Sequence, residues 1–480
     1  MRPVTDGTDG GIVSVFYWPE LLYLDGAFVA DKGLLVDDLG RIEGITTRQD
    51  ATDATLVGLP RKALLPGFVN THSHSFQRLI RGKSESRIVS GKDFWSWRGT
   101  MYHAAAQLSP EEVYHVARMA FLEMLLSGTT TVGEFHYLHT DAAGHPYDDP
   151  NLLTKRVIAA AESVGIRIVL LRTAYMRSGY DLPRDPRQTR FFESGTDFLR
   201  NMQELVAEYP EASPNVSFGV APHSIRAVPL ADLEEIAAWT NSRHLPLHMH
   251  VAEQAAENAA CIREYGCTPV QLLSRNGILS SRFTGVHSIH IQPDEVAMLA
   301  HAGATICSCP TTERNLGDGI LAADQVMASG IHVALGSDSQ AQIDPLEDAR
   351  QLDYHLRLRD QQRAILDLIE DKPIAERLFS CATRNGARAL GLPTGDFLKG
   401  SFADGFTVDL DDLSIAGHSS EDLLPILVFS LNRSAIRDVL VNGRCVVQEQ
   451  KHPLHEEIVS RYKEVHARVW NGRLAGAGRR

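Results

Sequence analysis

Between residues 66 and 392 the sequence alternates short runs of valine, isoleucine and leucine with longer segments of helical periodicity. Nearly continuous apolar runs are typical of parallel strands that are buried on both faces. The eight predicted strands span residues 67–71, 130–135, 167–172, 216–221, 245–251, 285–290, 305–308 and 332–336. Eight parallel strands with intervening helices in about 330 residues predict a (β/α)8 TIM barrel.

The clearest helix start in this region lies at Ser109. Ser109 is a natural N-cap, Pro110 suits the first helical position, and Glu112 completes a capping box. Gly128 suits the position just after the end of the helix. The sequence therefore predicts a helix between Pro110 and Leu126.

Both ends of the chain show short strand patterns and turns. The predicted strands there span residues 13–17, 21–24, 33–36, 42–45, 63–65, 405–410, 439–441 and 444–447, and Asn442-Gly443 is typical of a type I′ hairpin turn. We predict one small β-sandwich built from both termini, with the barrel inserted in it. The predicted parts are residues 1–65 and 395–455 for the sandwich, 66–394 for the barrel, and 456–480 for a C-terminal helix and tail.

The segment from residue 81 to residue 107 is too long for a simple loop between a strand and its helix. It contains Phe94-Trp-Ser-Trp97-Arg98. Because long loops in compact domains are often functional, we expect this segment to cover the mouth of the barrel.

Composition excludes several classes of partner. The chain has 47 basic and 60 acidic residues, a formal charge of −13, and no block of lysine and arginine that would favour nucleic acid or an anionic membrane. We see no signal-peptide pattern and no apolar run of membrane-spanning length, so we expect a cytoplasmic protein. The six cysteines fit neither a zinc ribbon nor a disulfide framework.

Four short pieces of sequence carry metal-binding and acid–base side chains, and each follows or ends a predicted strand. They are His72-Ser-His74, His250-Val-Ala-Glu253, His287 and Gly336-Ser-Asp338. Two histidines two residues apart on a strand point the same way. We therefore predict one metal ion held by His72, His74, His250 and Asp338, with a position left for water.

Glu253 and His287 remain beside that water as acid–base groups. His248 shares a strand face with His250. We choose His250 as the ligand because it lies three residues from Glu253, which lets both face the same water. His248 is predicted to pack or to orient a neighbour, since metal-bound histidines need such partners.

This arrangement resembles the deaminase branch of the amidohydrolase superfamily, and over residues 10–455 the chain is similar to formimidoylglutamate deiminases. The pieces that carry the similarity are Thr71-His-Ser-His-Ser-Phe-Gln-Arg78, Phe94-Trp-Ser-Trp-Arg98, Glu134-Phe-His-Tyr137, Ala221-Pro-His-Ser-Ile-Arg226, His250-Val-Ala-Glu-Gln254 and Cys309-Pro-Thr-Thr-Glu-Arg-Asn-Leu-Gly-Asp318. The resemblance implies a barrel of the amidohydrolase type, one Zn²⁺ per chain with Fe²⁺ as the alternative, and a homodimer. Gln340 is assigned no role.

The implied substrate is the small anion N-formimidoyl-L-glutamate, which carries two carboxylates. A buried dicarboxylate needs at least one arginine per carboxylate, and Arg98 and Arg226 lie where they could provide it, although either could instead form a structural ion pair. Gln77, Tyr137 and His223 are further candidates for substrate binding or for packing.

The expected reaction is hydrolysis to N-formyl-L-glutamate and ammonia, a step of histidine degradation. Asp338 would accept a proton from water, and Glu253 would protonate the departing nitrogen. His287 would stabilise developing charge or shuttle a proton. Two alternatives stay open: a deaminase of a purine or adenosine derivative, and a non-catalytic scaffold of the same fold. The first would need ring-stacking groups, and the second would show lost ligands.

Overall fold

The computed structural model describes residues 14–85, 94–180, 182–209, 213, 215–368 and 372–474. The strands are β1 Val15–Leu24, β2 Ala27–Val29, β3 Gly33–Val36, β4 Ile42–Thr46, β5 Thr55–Pro66, β6 Phe68–Ser73, β7 Thr129–His136, β8 Arg167–Ala174, β9 Val216–Pro222, β10 Leu247–Val251, β11 Phe283–His287, β12 Thr305–Ser308, β13 His332–Leu335, β14 Gly405–Asp409, β15 Ile436–Val441 and β16 Arg444–Val447. They form two eight-stranded sheets.

Helices follow most strands of the barrel. They are α1 Phe94–Gln107, α2 Pro110–Leu125, α3 Leu152–Val164, α4 Gly195–Glu208, α5 Leu230–Ser242, α6 Ala255–Tyr265, α7 Pro269–Arg275, α8 Pro293–Ala302, α9 Pro310–Leu316, α10 Ala323–Ala328, α11 Pro345–Asp360, α12 Ile374–Cys381, α13 Arg384–Ala389, α14 Leu423–Ser430 and α15 His455–Leu474. Short 3₁₀ helices span Ser75–Ile80, Pro186–Phe191 and Arg433–Ala435. Across the described residues, no helix is both long enough and apolar enough to cross a membrane.

The barrel sheet contains β6 to β13 in chain order, all parallel. Between the first and last of these strands, the described residues form one isolated bridge, from Ser73 to Asp338, instead of a regular ladder. Gly336 allows this approach, because a Cβ there would lie 2.8 Å from the Cβ of His72. The predicted TIM-barrel fold is confirmed.

The second sheet joins both termini in one mixed sheet, in the order β16-β15-β14-β5-β1-β3-β4, with β2 beside β1. Its centre is the parallel pair β1 and β5, and β14 returns antiparallel to β5. This confirms that a separate β domain is built from both termini. The residue boundaries of the predicted domains stay predictions.

Several local predictions can be compared with the structure. Ser109 caps α2 and forms the predicted capping box with Glu112. Asn442 and Gly443 both have positive φ, 52° and 67°, as a type I′ turn requires. The predicted strand 63–65 proved to be the end of the longer β5, and β2 was missed. Residue 13 and the tail 475–480 lie outside the described residues.

Candidate active site

Three imidazoles and one carboxylate meet at the mouth of the barrel. His72 lies near the end of β6 and His74 directly follows that strand. His250 lies near the end of β10, and Asp338 follows β13. Their ligand atoms all lie within 4.8 Å of one another, and all four residues are buried. His72 Nε2 lies 3.2 Å from His250 Nε2 and 3.5 Å from Asp338 Oδ1, while His74 Nε2 lies 3.3 Å from the same oxygen.

These four residues fit a metal ion by their chemistry. In a tetrahedral zinc site, any two nitrogen or oxygen ligand atoms lie about 3.4 Å apart. The His74 Nδ1 donates to the Phe135 carbonyl at 2.8 Å, and the His250 Nδ1 donates to the His223 carbonyl at 2.9 Å. Both Nε2 atoms therefore present lone pairs toward the centre of the group. Burial lowers the pKa of His72, His74 and His250, which favours the neutral imidazoles that bind metals.

His248 lies outside this group. Its Nε2 hydrogen-bonds the carbonyl of Ala389 at the end of α13, at a distance of 2.9 Å. A second set of possible ligands, His287, Cys309 and Asp338, shares the carboxylate of the first. Burial raises the pKa of the Cys309 thiol well above its usual value, so the thiolate needed for metal binding is disfavoured.

Two acid–base side chains stand beside the four candidate ligands. His287 Nε2 lies 3.9 Å from Glu253 Oε1 and 3.6 Å from Asp338 Oδ2, and His287 Nδ1 lies 3.2 Å from Glu313 Oε1. Burial opposes a charge on His287, but the three carboxyl groups outweigh it and raise its pKa well above the usual value. Burial also raises the pKa of Glu253, although the nearby charges of His287 and Arg226 act in the opposite direction.

The backbone at this end of the barrel is strained at several non-glycine residues. Ala252, His287, Ser288 and Asp338 all have positive φ, between 46° and 68°. Such conformations are rare for L-residues and cluster at functional sites. These four residues lie at or just after the ends of three barrel strands, β10, β11 and β13.

The residues predicted to bind substrate line the same cavity as His74, His250 and Asp338. Arg98 and Arg226 are both buried there, and the Arg98 Nη2 donates to the Tyr175 hydroxyl at 3.4 Å. The Gln77 Nε2 donates to the Tyr137 hydroxyl at 2.8 Å. The cavity is lined by His74, Gln77, Trp97, Arg98, Met101, Tyr102, Tyr137, Tyr175, Phe191, His223, Arg226, His250, Glu253, His287, Leu316 and Asp338.

The sequence predicted a cover from residues 81–107, and α1 of that segment places Trp97 and Arg98 in the cavity wall. Residues 86–93 lie outside the described residues. The aromatic wall formed by Tyr102, Tyr175 and Phe191 was not predicted. Tyr175 directly follows β8, so the strand-end rule that selected the histidines would also have selected it.

Comparison with known proteins agrees with this architecture. A model of the amidohydrolase family matches residues 63–446. The chain is 37% identical over 404 residues to formimidoylglutamate deiminase of Pseudomonas aeruginosa, with 84% of this chain and 88% of that protein covered. It is 29% identical over 425 residues to 8-oxoguanine deaminase of the same organism, with 87% and 90% covered.

A solved structure gives the same result in three dimensions. The crystal structure of an amidohydrolase from Brucella melitensis matches with a TM-score of 0.85 at 30% identity, covering 95% of this chain and 99% of that one. The family match at residues 63–446 spans more than half of the chain and includes every strand of the barrel sheet. The protein therefore belongs to the amidohydrolase family.

Proposed function

We propose that this protein is a metal-dependent deiminase that converts N-formimidoyl-L-glutamate and water to N-formyl-L-glutamate and ammonia. One observation carries the proposal: two buried arginines, Arg98 and Arg226, share a cavity with the His₃Asp group. The relative that is 37% identical is a formimidoylglutamate deiminase, which supports the same substrate. The reaction places the chain in histidine degradation.

His72, His74, His250 and Asp338 would hold one divalent ion, and imidazole with carboxylate suits zinc, with Fe²⁺ as the alternative. Such an ion supplies Lewis-acid activation of water near neutral pH. The carbonyls of Phe135 and His223 orient two of the imidazoles for that role.

Three side chains would handle protons and charge. Asp338 accepts the proton of the attacking water. Glu253, whose pKa is raised by burial so that the protonated acid is favoured, donates a proton to the departing nitrogen. His287, whose raised pKa favours the imidazolium, stabilises negative charge on the attacking oxygen.

The two carboxylates of the substrate would pair with Arg98 and Arg226, since guanidinium binds carboxylate in two-point fashion. The chain as a whole carries a charge of −13, so a dianion needs these local cations. Gln77, Tyr137 and His223, which line the same cavity, would hydrogen-bond the amidine or the nearer carboxylate.

Deamination of a purine is the second candidate. A relative that is 29% identical is an 8-oxoguanine deaminase, and Tyr102, Tyr137, Tyr175 and Phe191 give the cavity aromatic surface. Two buried arginines suit a flat neutral base poorly. A scaffold without catalysis is disfavoured, because every predicted ligand and acid–base group is present.

The direct test is ammonia release by the full-length protein of measured metal content, with N-formimidoyl-L-glutamate, guanine and adenosine compared. We expect turnover of the amidine alone, lost with chelator and restored with zinc. Faster release from guanine or adenosine would overturn the substrate assignment and leave the metal site standing. The homodimer and the cytoplasmic location stay predictions.

A further inference from the structure

Strand β6, which carries His72 and directly precedes His74, is irregularly paired on both sides. Along the β6–β7 ladder, Asn70 pairs with Val132 and Ser73 pairs with Glu134, so three steps on β6 match two on β7. On the other side the described residues provide only the isolated bridge between Ser73 and Asp338. His72 and His74 therefore lie at the end of a bulged strand at the closure of the barrel, where the described residues form one bridge instead of a regular ladder.

A chain of buried side-chain hydrogen bonds crosses this closure. It begins at Asn70 on β6, whose Nδ2 donates to Ser337 Oγ at 2.7 Å, and the Ser337 hydroxyl donates to Gln340 Oε1 at 3.1 Å. Gln340 Nε2 then donates to Ser73 Oγ at 2.8 Å, and the Ser73 hydroxyl donates to Glu134 Oε2 at 2.7 Å. We call these five residues the closure chain. All five are buried.

Two residues of the closure chain, Glu134 and Gln340, also form hydrogen bonds to the backbone at the proposed ligands. Glu134 Oε1 accepts the backbone N–H of Ser75 at 2.7 Å, so one carboxylate grips the residues on either side of His74. Gln340 Nε2 also donates to the carbonyl of Asp338 at 3.1 Å. Gln340 is thus bonded both to the H-x-H strand and to the residue that supplies the fourth ligand.

Gln340 has an energetically unfavourable backbone conformation. Its φ is +62°, a left-handed backbone conformation that is unfavourable for residues other than glycine and asparagine. The side chain of Gln340 is fully buried. Its own carbonyl accepts a hydrogen bond from Arg81 Nε at 2.7 Å. Glycine would relieve the backbone strain, but it would remove the side-chain amide that forms the hydrogen bonds to Ser73 and Ser337.

We propose that Gln340 is a positioning residue that fixes the distance between the His72–His74 strand and Asp338, and so sets the affinity of the site for its metal ion. This inference rests on the proposed metal-dependent function. Gln340 does not line the substrate cavity. Its loss should therefore weaken metal binding without changing recognition of the substrate.

The test is the affinity of the full-length protein for Zn²⁺, measured by competition with a chromophoric chelator in the absence of substrate. Gln340→Met keeps the length of the side chain and removes its hydrogen bonds. We expect the dissociation constant for Zn²⁺ to rise about 10–100-fold, the usual effect of losing a group that orients metal ligands. At saturating zinc, the KM for N-formimidoyl-L-glutamate should stay at the wild-type value.

Gln342→Met is the matched control, because Gln342 lies two residues along the same loop and contacts Arg314 instead. It should bind Zn²⁺ like the wild type. Ser73→Ala breaks the closure chain at another residue. It replaces Gln340→Met in the test if that variant does not fold. Since the two residues are consecutive links, the double variant should lose little more affinity than the worse single variant.

Wild-type Zn²⁺ affinity in folded Gln340→Met or in Ser73→Ala would overturn the inference, and so would a raised KM with unchanged affinity. Failure of the inference on Gln340 can be distinguished from failure of the proposed function. A wild-type protein that binds Zn²⁺ but releases no ammonia from N-formimidoyl-L-glutamate refutes that function, while the comparison of affinities still decides the role of Gln340.

Discussion

Glu253 is a buried carboxyl group whose proton the proposed reaction uses. Burial raises its pKa, which favours the protonated acid. Glu253→Gln keeps the shape of the side chain, removes the transferable proton and removes no proposed metal ligand. We expect turnover to fall about 10²–10⁴-fold at unchanged zinc content. Ammonia release and metal analysis on one sample measure both quantities.

The matched control for this variant is Glu264→Gln, in helix α6, where the carboxylate pairs with Arg177 at 2.9 Å outside the cavity. It should retain wild-type turnover. If Glu253→Gln were equally active at saturating substrate, proton donation by Glu253 would be wrong.

Arg98 and Arg226 are the residues expected to select a dicarboxylate. Losing one partner of a buried charge pair costs about 2–5 kcal/mol, so Arg98→Met and Arg226→Met should each lower kcat/KM at least about 30-fold. The effect should be smaller with an analogue that lacks one carboxylate. Steady-state kinetics with both substrates measure this difference.

Arg243→Met tests whether loss of any arginine has the same effect, because Arg243 is exposed and stacks on Trp239, away from the cavity. Its kinetics should match the wild type. Normal hydrolysis of the full substrate by both cavity variants would refute the assignment of the dicarboxylate.

At the scale of elements, strand β10 shows that the position of a residue along a strand matters as much as the face it occupies. His248 and His250 point the same way, but His248 pairs with Thr284 and His250 with Val286, one layer nearer the mouth. His250 meets the other proposed ligands, whereas His248 meets α13 at Ala389. The two histidines therefore should not be exchangeable.

We expect His250→Ala to lose its zinc and His248→Ala to keep it, because only the first removes one of the four ligand atoms. Metal analysis after gel filtration measures the occupancy of each variant. The unfolding midpoint of His248→Ala should fall instead, since its buried hydrogen bond is lost. Full occupancy in His250→Ala with depletion in His248→Ala would show that the wrong histidine was chosen.

At the scale of the whole molecule, a buried ion pair links the two sheets. Arg167 at the start of β8 forms two hydrogen bonds to Asp404, just before β14, at 2.9 and 3.0 Å. Both side chains are at most 1% exposed. Asp404 also accepts from Thr394 and from the backbone of Asn442. The barrel and the terminal sheet are therefore tied together by a fully desolvated charge pair.

Arg167→Met should lower the free energy of unfolding by about 3–5 kcal/mol, because it leaves Asp404 buried without its cation. Urea unfolding followed by circular dichroism measures this loss. Arg461→Met removes the exposed pair with Glu464, whose side chains are 54% and 60% exposed, and should cost at most about 1 kcal/mol. Equal shifts in the two variants would contradict the structural role of the buried pair.

The sequence by itself determined the fold class and the four residues that are grouped at the proposed metal site. Buried parallel strands need continuous apolar runs, and strand periodicity places H-x-H side chains together, so both features are visible locally. Ser109 and Asn442-Gly443 were predictable for the same reason, since caps and tight turns depend on a few adjacent residues.

Only the tertiary structure decided which side chains support those residues. Gln340 and Ser73 are 267 positions apart, and the hydrogen bond between them exists because the last strand returns beside the first. The pair of Arg167 with Asp404 spans 237 positions, and the wall formed by Tyr102 and Tyr175 joins a helix to a strand end. Local periodicity holds no information on such pairs, because barrel closure and the docking of the terminal sheet select them.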